Sequence, residues 1–167
     1  TVLFPLVKYN QFIMLQNKII ITSQNGEFKK NEKIIKFAVF KILKILKKDG
    51  IAVEVFLVGD KEIKFLNKTL RKKDKLTDIL SFPEPENFPH PELKNKKTRY
   101  LGAIYLSIPY IKSEAKSAIM NFDFLMIKLL IHGILHLSGY VHKKKNDRIK
   151  MEKKEKYVYN SFRYRNK

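Results

Sequence analysis

The stretch NEKIIKFAVFKILKILKKDGIAVEVFLVGD, Asn31 to Asp60, leaves few architectures open. Its first half sets Ile34, Ile35, Ala38, Ile42, Leu43 and Ile45 or Leu46 on one stripe with lysines opposite, the period of an amphipathic helix. Asn31 can cap its start and Gly50 its end. The second half, IAVEVFLV, is apolar at nearly every position, the pattern of a buried strand, and stops at Gly59. Neither face of that strand suits water, so helices must cover the sheet it joins.

The alternation continues on both sides. Lys18–Thr22, KIIIT, is a short β-branched run before the turn-rich SQNGE and reads as a strand. Asp60 can cap a helix with Ile63, Leu66 and Leu70 on one face, and TDILSFP is a further strand ended by Pro83. Glu84 to Lys97, EPENFPHPELKNKK, has the composition of a mobile surface loop. YLGAIYLSI returns to strand character, Ser113–Met120 and Phe124–Leu137 read as helices, and a basic helix from Asp147 to about Tyr164 closes the chain. Without internal repeats, this is the pattern of a single α/β (α+β) domain: one small, mostly apolar sheet covered by helices. The order of elements does not set the order of strands within the sheet.

The chain has no cysteine, which excludes disulfides, thiolate metal sites and a cysteine nucleophile, so a transition metal must use histidine or carboxylate ligands. A net charge of +19 is the footprint of a protein that meets polyanions. Lysine supplies 30 of the 35 basic residues, however, and with abundant Ile, Asn, Phe and Tyr that skew also fits codon drift in an AT-rich genome. Charge alone does not choose between the two, and a membrane surface is a poor third. The opening TVLFPLVKYNQFIML is broken by Pro5 and Lys8 and makes a poor signal peptide. Residues 1–13, before Met14, are expected to be a dispensable extension and 14–167 the domain. FDFLMIKLLIHGILHL is too short to span about 30 Å of hydrocarbon and carries Lys128 and two histidines, so the expectation is a soluble, cytoplasmic protein with no membrane partner.

Three of the four histidines fall within HGILHLSGYVH, at His132, His136 and His142. Residues four apart share one face of a helix, which places the first two imidazoles together. Gly139 can leave the helix in a left-handed conformation and turn the chain back, so that His142 supplies a third nitrogen. Three histidines around one zinc ion leave a fourth position for water, the arrangement of a catalytic rather than a closed structural site. The remaining histidine, His90, belongs to the proline-rich loop and reads as merely solvated. The spacing matches H-E-x-x-H-x-x-G-x-x-H of the metzincin proteases, except that Gly133 stands where their glutamate acts as general base. A protease mechanism thereby loses its base, whereas zinc still lowers the pKa of a bound water toward ~7. Gly133 costs about 1 kcal/mol in a helix relative to alanine. A need for space beside the metal explains that most simply, with close helix packing the alternative.

Three separate blocks resemble one family. HGILHLSGYVH, followed by Met151 and Glu155, is similar to the H-G-x-L-H-L-x-G-Y-D-H signature of the YbeY family, rRNA maturation factors regarded as metal-dependent endoribonucleases. LNKTLRKKDKLTDILSFP, Leu66 to Pro83, resembles that family's L-N-x-x-x-R-x-K-D-x-x-T-D-V-L-S-F-P, and YLGAIYLS its L-G-D-I-x-I-S. The resemblance runs from about Met14 into the C-terminal helix. It implies one zinc per chain on His132, His136 and His142, and it makes Arg71 the arginine of the active-site cleft. Arg71 is one of only 5 arginines, and its planar fork suits bidentate capture of a phosphate; a surface salt bridge is the bland alternative. Asp74 and Asp78 can orient Arg71 or a ligand, or equally cap the turn before the next strand. The implied activity is single-strand-specific cleavage of RNA in ribosomal RNA maturation, with ribosomal proteins or assembly factors as partners. Val141 and Ala103 stand where the family has aspartates, and lost orienting carboxylates typically cost 10- to 100-fold in metal affinity or activity. A catalytically weakened rRNA-binding factor is therefore the second reading, and a protease-like hydrolase the third.

Overall fold

The apolar run Ile51–Val58 forms β2, an inner strand of a four-stranded sheet in the computed structural model, which describes residues 17–24, 26–85 and 98–164. Residues 1–13 and most of the proline-rich loop, His90 included, lie outside the described residues. The other elements are β1 (Lys18–Ser23), α1 (Lys29–Ile45), α2 (Asp60–Arg71), β3 (Ile79–Pro83), β4 (Arg99–Ser107), α3 (Ile108–Ser117), α4 (Phe122–Leu137) and α5 (Lys145–Tyr164). The strand order is β1-β2-β4-β3, with β1, β2 and β4 parallel and β3 antiparallel on the edge beside β4. The single α/β domain with a small helix-covered sheet is thus what the chain forms.

Helices α1 and α4 lie on one face of the sheet. Ile35, Val39, Ile42 and Leu43 of α1 join Met126, Leu130 and Ile134 of α4 over Val53, Val55, Ile104 and Leu106, all fully buried. The basic α5 holds on to this layer through Met151, Val158 and Phe162. On the opposite face α2 inserts Ile63 against Val58 and Leu80, and Phe56, Phe82 and Tyr105 remain half-buried there. Tyr105 stacks on Phe56 at 4.6 Å between ring centroids. Gly102 explains the LG of YLGAIYLS. The β2–β4 register slips between Ala52 and Val53, Gly102 takes a φ of +132°, and a Cβ there would stand 2.9 Å from Pro83 Cα, so only glycine fits the bulge.

Several boundaries differ from expectation for local physical reasons. Helix α1 starts at Lys29, so Asn31 is a buried residue of the first turn and not a cap. It ends at Ile45, five residues before Gly50: Lys47 takes the left-handed conformation at φ 54°, and the Lys48 amide closes back on the Leu43 carbonyl at 2.9 Å. Gly59, not Asp60, is the N-cap of α2, and the Asp60 carboxylate instead accepts the Ser107 hydroxyl. Leu70 is 55% exposed and does not share the buried stripe of Ile63. Pro109 nucleates α3 right after β4, which places that helix earlier than Ser113–Met120.

Candidate metal centre

Helix α4 begins where the Asn121 side chain accepts the Phe124 amide at 3.1 Å. Its core stripe turns inward, leaving His132 and His136 half-buried one turn apart on the other side. Gly133 belongs to the inward side. A Cβ there would stand 2.9 Å from Ile79 Cδ1 and 3.1 Å from Ile104 Cδ1. The glycine therefore lets helix and sheet approach, and the expectation that it makes room for a metal is wrong.

The C-terminus of α4 builds the rest of the site from backbone. The Gly139 amide bonds the His136 carbonyl and the Tyr140 amide the Leu135 carbonyl, each at 3.0 Å, with Gly139 at φ +91°. This is the Schellman arrangement, and it reverses the chain as the glycine predicted. Two consequences follow from the reversal. His142 arrives beside the helix, its ring centroid 4.9 Å from that of His136 and 5.8 Å from that of His132. The Tyr140 carbonyl also faces back and accepts the Nδ1–H of His136 at 2.9 Å.

A carbonyl only accepts, so His136 carries its proton on Nδ1 and its Nε2 bears a lone pair. The Nδ1 of His132 donates in the same way to Glu155 Oε1 of α5 at 2.7 Å. The two Nε2 atoms then face each other at 3.0 Å. A metal ion or a shared proton between them satisfies both. Burial first, and then the neighbouring His132, hold the His136 pKa below its ordinary value, which favours the neutral ring that a metal ion needs. A tetrahedral zinc ion with Zn–N of about 2.0–2.1 Å spaces its ligand nitrogens about 3.3 Å apart, close to the 3.0 Å between these two. One nitrogen from each of His132, His136 and His142 lies within 4.8 Å of the other two, and the group can hold a metal ion.

The orienting partners were not read from the sequence. Glu155 stands 23 residues from His132, beyond any helical spacing, and only its place in the family resemblance hinted at a role. The Tyr140 carbonyl leaves no side-chain signal at all. Arg71 is exposed at the end of α2 and has no hydrogen-bond or ion-pair partner among the described residues. Neither acid near it in sequence turns toward it: Asp74 pairs with Lys68 at 2.7 Å and Lys64 at 3.7 Å, which holds its carboxyl below the usual range. Asp78 takes the alternative role and caps the start of β3, accepting the Ile79 amide at 2.7 Å and the Thr77 hydroxyl at 3.1 Å. It also lines a cavity of about 550 Å³ that opens beside His132 between α4 and α5.

A family model described as Endoribonuclease YbeY matches residues 18–163. A Persephonella marina protein named Endoribonuclease YbeY is 40% identical over 128 residues, 77% of this chain and 80% of that one. Its namesake from Caldicellulosiruptor saccharolyticus is 36% identical over 150 residues, 84% of this chain and 94% of that one. The solution structure of a Thermotoga maritima protein is similar with a TM-score of 0.55 at 29% identity, over 88% of this chain and 93% of that one.

Proposed function

Since the chain belongs to the Endoribonuclease YbeY family, we propose that it is a zinc-dependent endoribonuclease that cleaves single-stranded RNA in ribosomal RNA maturation. The observation that carries this reading is the convergence of the three histidines, with two Nε2 atoms 3.0 Å apart and both of their Nδ1 atoms tied outward. When bound, zinc supplies Lewis acidity, toward a water in the position left open by His132, His136 and His142 and toward a phosphoryl oxygen. Glu155 and the Tyr140 carbonyl hold the first two rings in the tautomer that presents Nε2 and raise their basicity. Lys143, Lys144 and Lys145 follow His142 directly, all exposed, and bind the phosphates on either side of the cleaved one. Arg71 binds the charge that develops on the transferred phosphoryl group. Residues 14–167 act as one catalytic domain, and ribosomal proteins or assembly factors present the substrate.

Gly133 argues against the protease alternative, since a side chain there would meet the sheet at Ile79 and Ile104. Hydrolysis is favoured over mere binding because Glu155 and Tyr140 supply the orienting contacts. The purified protein should contain one zinc per chain by metal-sensitive mass spectrometry and cleave unstructured RNA but not casein. Chelation should stop cleavage, and His136→Ala should lose the metal. Full zinc occupancy in the His132, His136, His142 triple alanine variant would overturn the site. Arg71→Lys should keep zinc and most RNA affinity yet cleave about 10²- to 10³-fold more slowly, because lysine cannot reproduce the bidentate fork.

A further inference from the structure

The cavity beside His132, about 550 Å³, is within the roughly 300–1,000 Å³ of small-ligand sites and larger than one phosphate requires. Its walls are apolar: Leu125 and Leu129 from α4, and from α5 the half-buried Tyr159, whose ring Phe124 holds edge-on at 5.2 Å. Lys128 and Lys156, both exposed, also line it. Glu155, bonded to His132, and Asp78 complete the lining. Glu155 commits Oε1 to His132, and Asp78 commits Oδ1 to the Thr77 hydroxyl and the Ile79 amide, so each keeps a second oxygen that can only accept. Glu152, the third acid on the wall, is engaged by Arg148 at 3.7 Å.

An apolar slot with an aromatic wall, cations along it and acceptor-only oxygens in its lining, one of them beside His132, matches a nucleobase with an exocyclic amino group, still joined to its phosphates. We propose that this cavity takes the base of the nucleotide next to the cleaved phosphodiester, turned out of its stack between Leu125, Leu129 and Tyr159, with Lys128 and Lys156 on its phosphates. The inference rests on the endoribonuclease reading and deepens it. A base held in a duplex is stacked and paired and cannot enter, so the cavity itself selects single-stranded substrate.

The test is an NMR titration of the purified full chain, its zinc content measured beforehand, with CMP, UMP and ribose 5-phosphate. CMP should move the Leu125 and Leu129 methyl and Tyr159 ring signals saturably, UMP should bind more weakly for want of the amino group, and ribose 5-phosphate should leave those signals in place. Leu129→Trp fills the slot, and Lys156→Glu reverses an exposed charge that the fold does not need. Each should weaken CMP binding by about tenfold or more. Wild-type affinity in both variants, or CMP binding that leaves the three signals unmoved, overturns the proposal; equal affinity for CMP and UMP overturns the amino-group recognition. The two readings fail separately. A chain that cleaves RNA without these shifts loses the base pocket alone, whereas one that shows the shifts but holds no zinc and cleaves nothing loses the nuclease reading alone.

Discussion

Gly133→Ala tests whether the glycine serves helix–sheet packing. Two opposed effects set its size. Alanine is about 1 kcal/mol better than glycine within a helix, which by itself stabilises the variant. Its Cβ, however, would lie 2.9 Å from Ile79 Cδ1 and 3.1 Å from Ile104 Cδ1. Ile79 is half-buried at the sheet edge and can rotate away, but Ile104 is fully buried between neighbouring strands and cannot. Overpacking of this kind costs about 1–3 kcal/mol, so the net change should be a loss of up to about 2 kcal/mol. For a chain of this size each kcal/mol is about 2–4 °C in Tm. Thermal unfolding of the metal-free protein, followed by circular dichroism, measures it. Stabilisation by the full helix-propensity gain would show that nothing presses on the site and refute the packing account. Gly133→Glu, which restores the metzincin residue, should fail to fold.

Other outcomes follow from the contacts that orient the rings. Glu155→Ala removes the acceptor of the His132 Nδ1 proton and should weaken zinc binding about 10- to 100-fold in a chelator competition, with little change in metal-free stability because both side chains are about a third exposed. Gly139→Ala meets open space but requires φ +91°, so it should cost about 1–2 kcal/mol and lower zinc affinity by displacing the Tyr140 carbonyl. The lowered His136 pKa means that the unfolded chain binds more protons than the folded one below about pH 6.5. Metal-free stability should therefore fall as pH drops through that value toward the folded pKa, and His136→Gln should flatten the decline. RNA affinity should fall steeply between low and physiological salt if the lysines contact several phosphates; salt-insensitive binding would mark the +19 charge as drift.

What the sequence makes legible is what short-range geometry determines. The pair His132 and His136 follows from the helical repeat, and the return of His142 from one glycine at positive φ, so the ligand cluster is visible within eleven residues. Helix ends are less visible, because Lys47 already takes the left-handed conformation that composition assigns to Gly50, three residues before that glycine does so too. Long-range contacts leave no local mark. Gly133 cannot be interpreted until β3 and β4 are known to lie beneath it, and Glu155 cannot be paired with His132 until α5 is folded back over α4.

The two missing aspartates show the same limit from the other side. Read from sequence, Val141 and Ala103 are equivalent losses near the metal. In the fold they are not. Ile104 faces α4, so its neighbour Ala103 alternates to the opposite face, paired with Glu54 and on the side of Phe56 and Tyr105. A carboxylate there would join Glu54, which already accepts the Tyr100 hydroxyl at 2.6 Å, and would not meet the histidine rings across the sheet. Val141 is exposed beside His142 and shares a small surface pocket with Asp147. His132 and His136 owe their tautomers to Glu155 and to a backbone carbonyl, neither of which the substitutions touch. The cost of the departures at the metal therefore reduces to whatever His142 loses from Val141, with Asp147 as the nearby carboxylate on the first turn of α5.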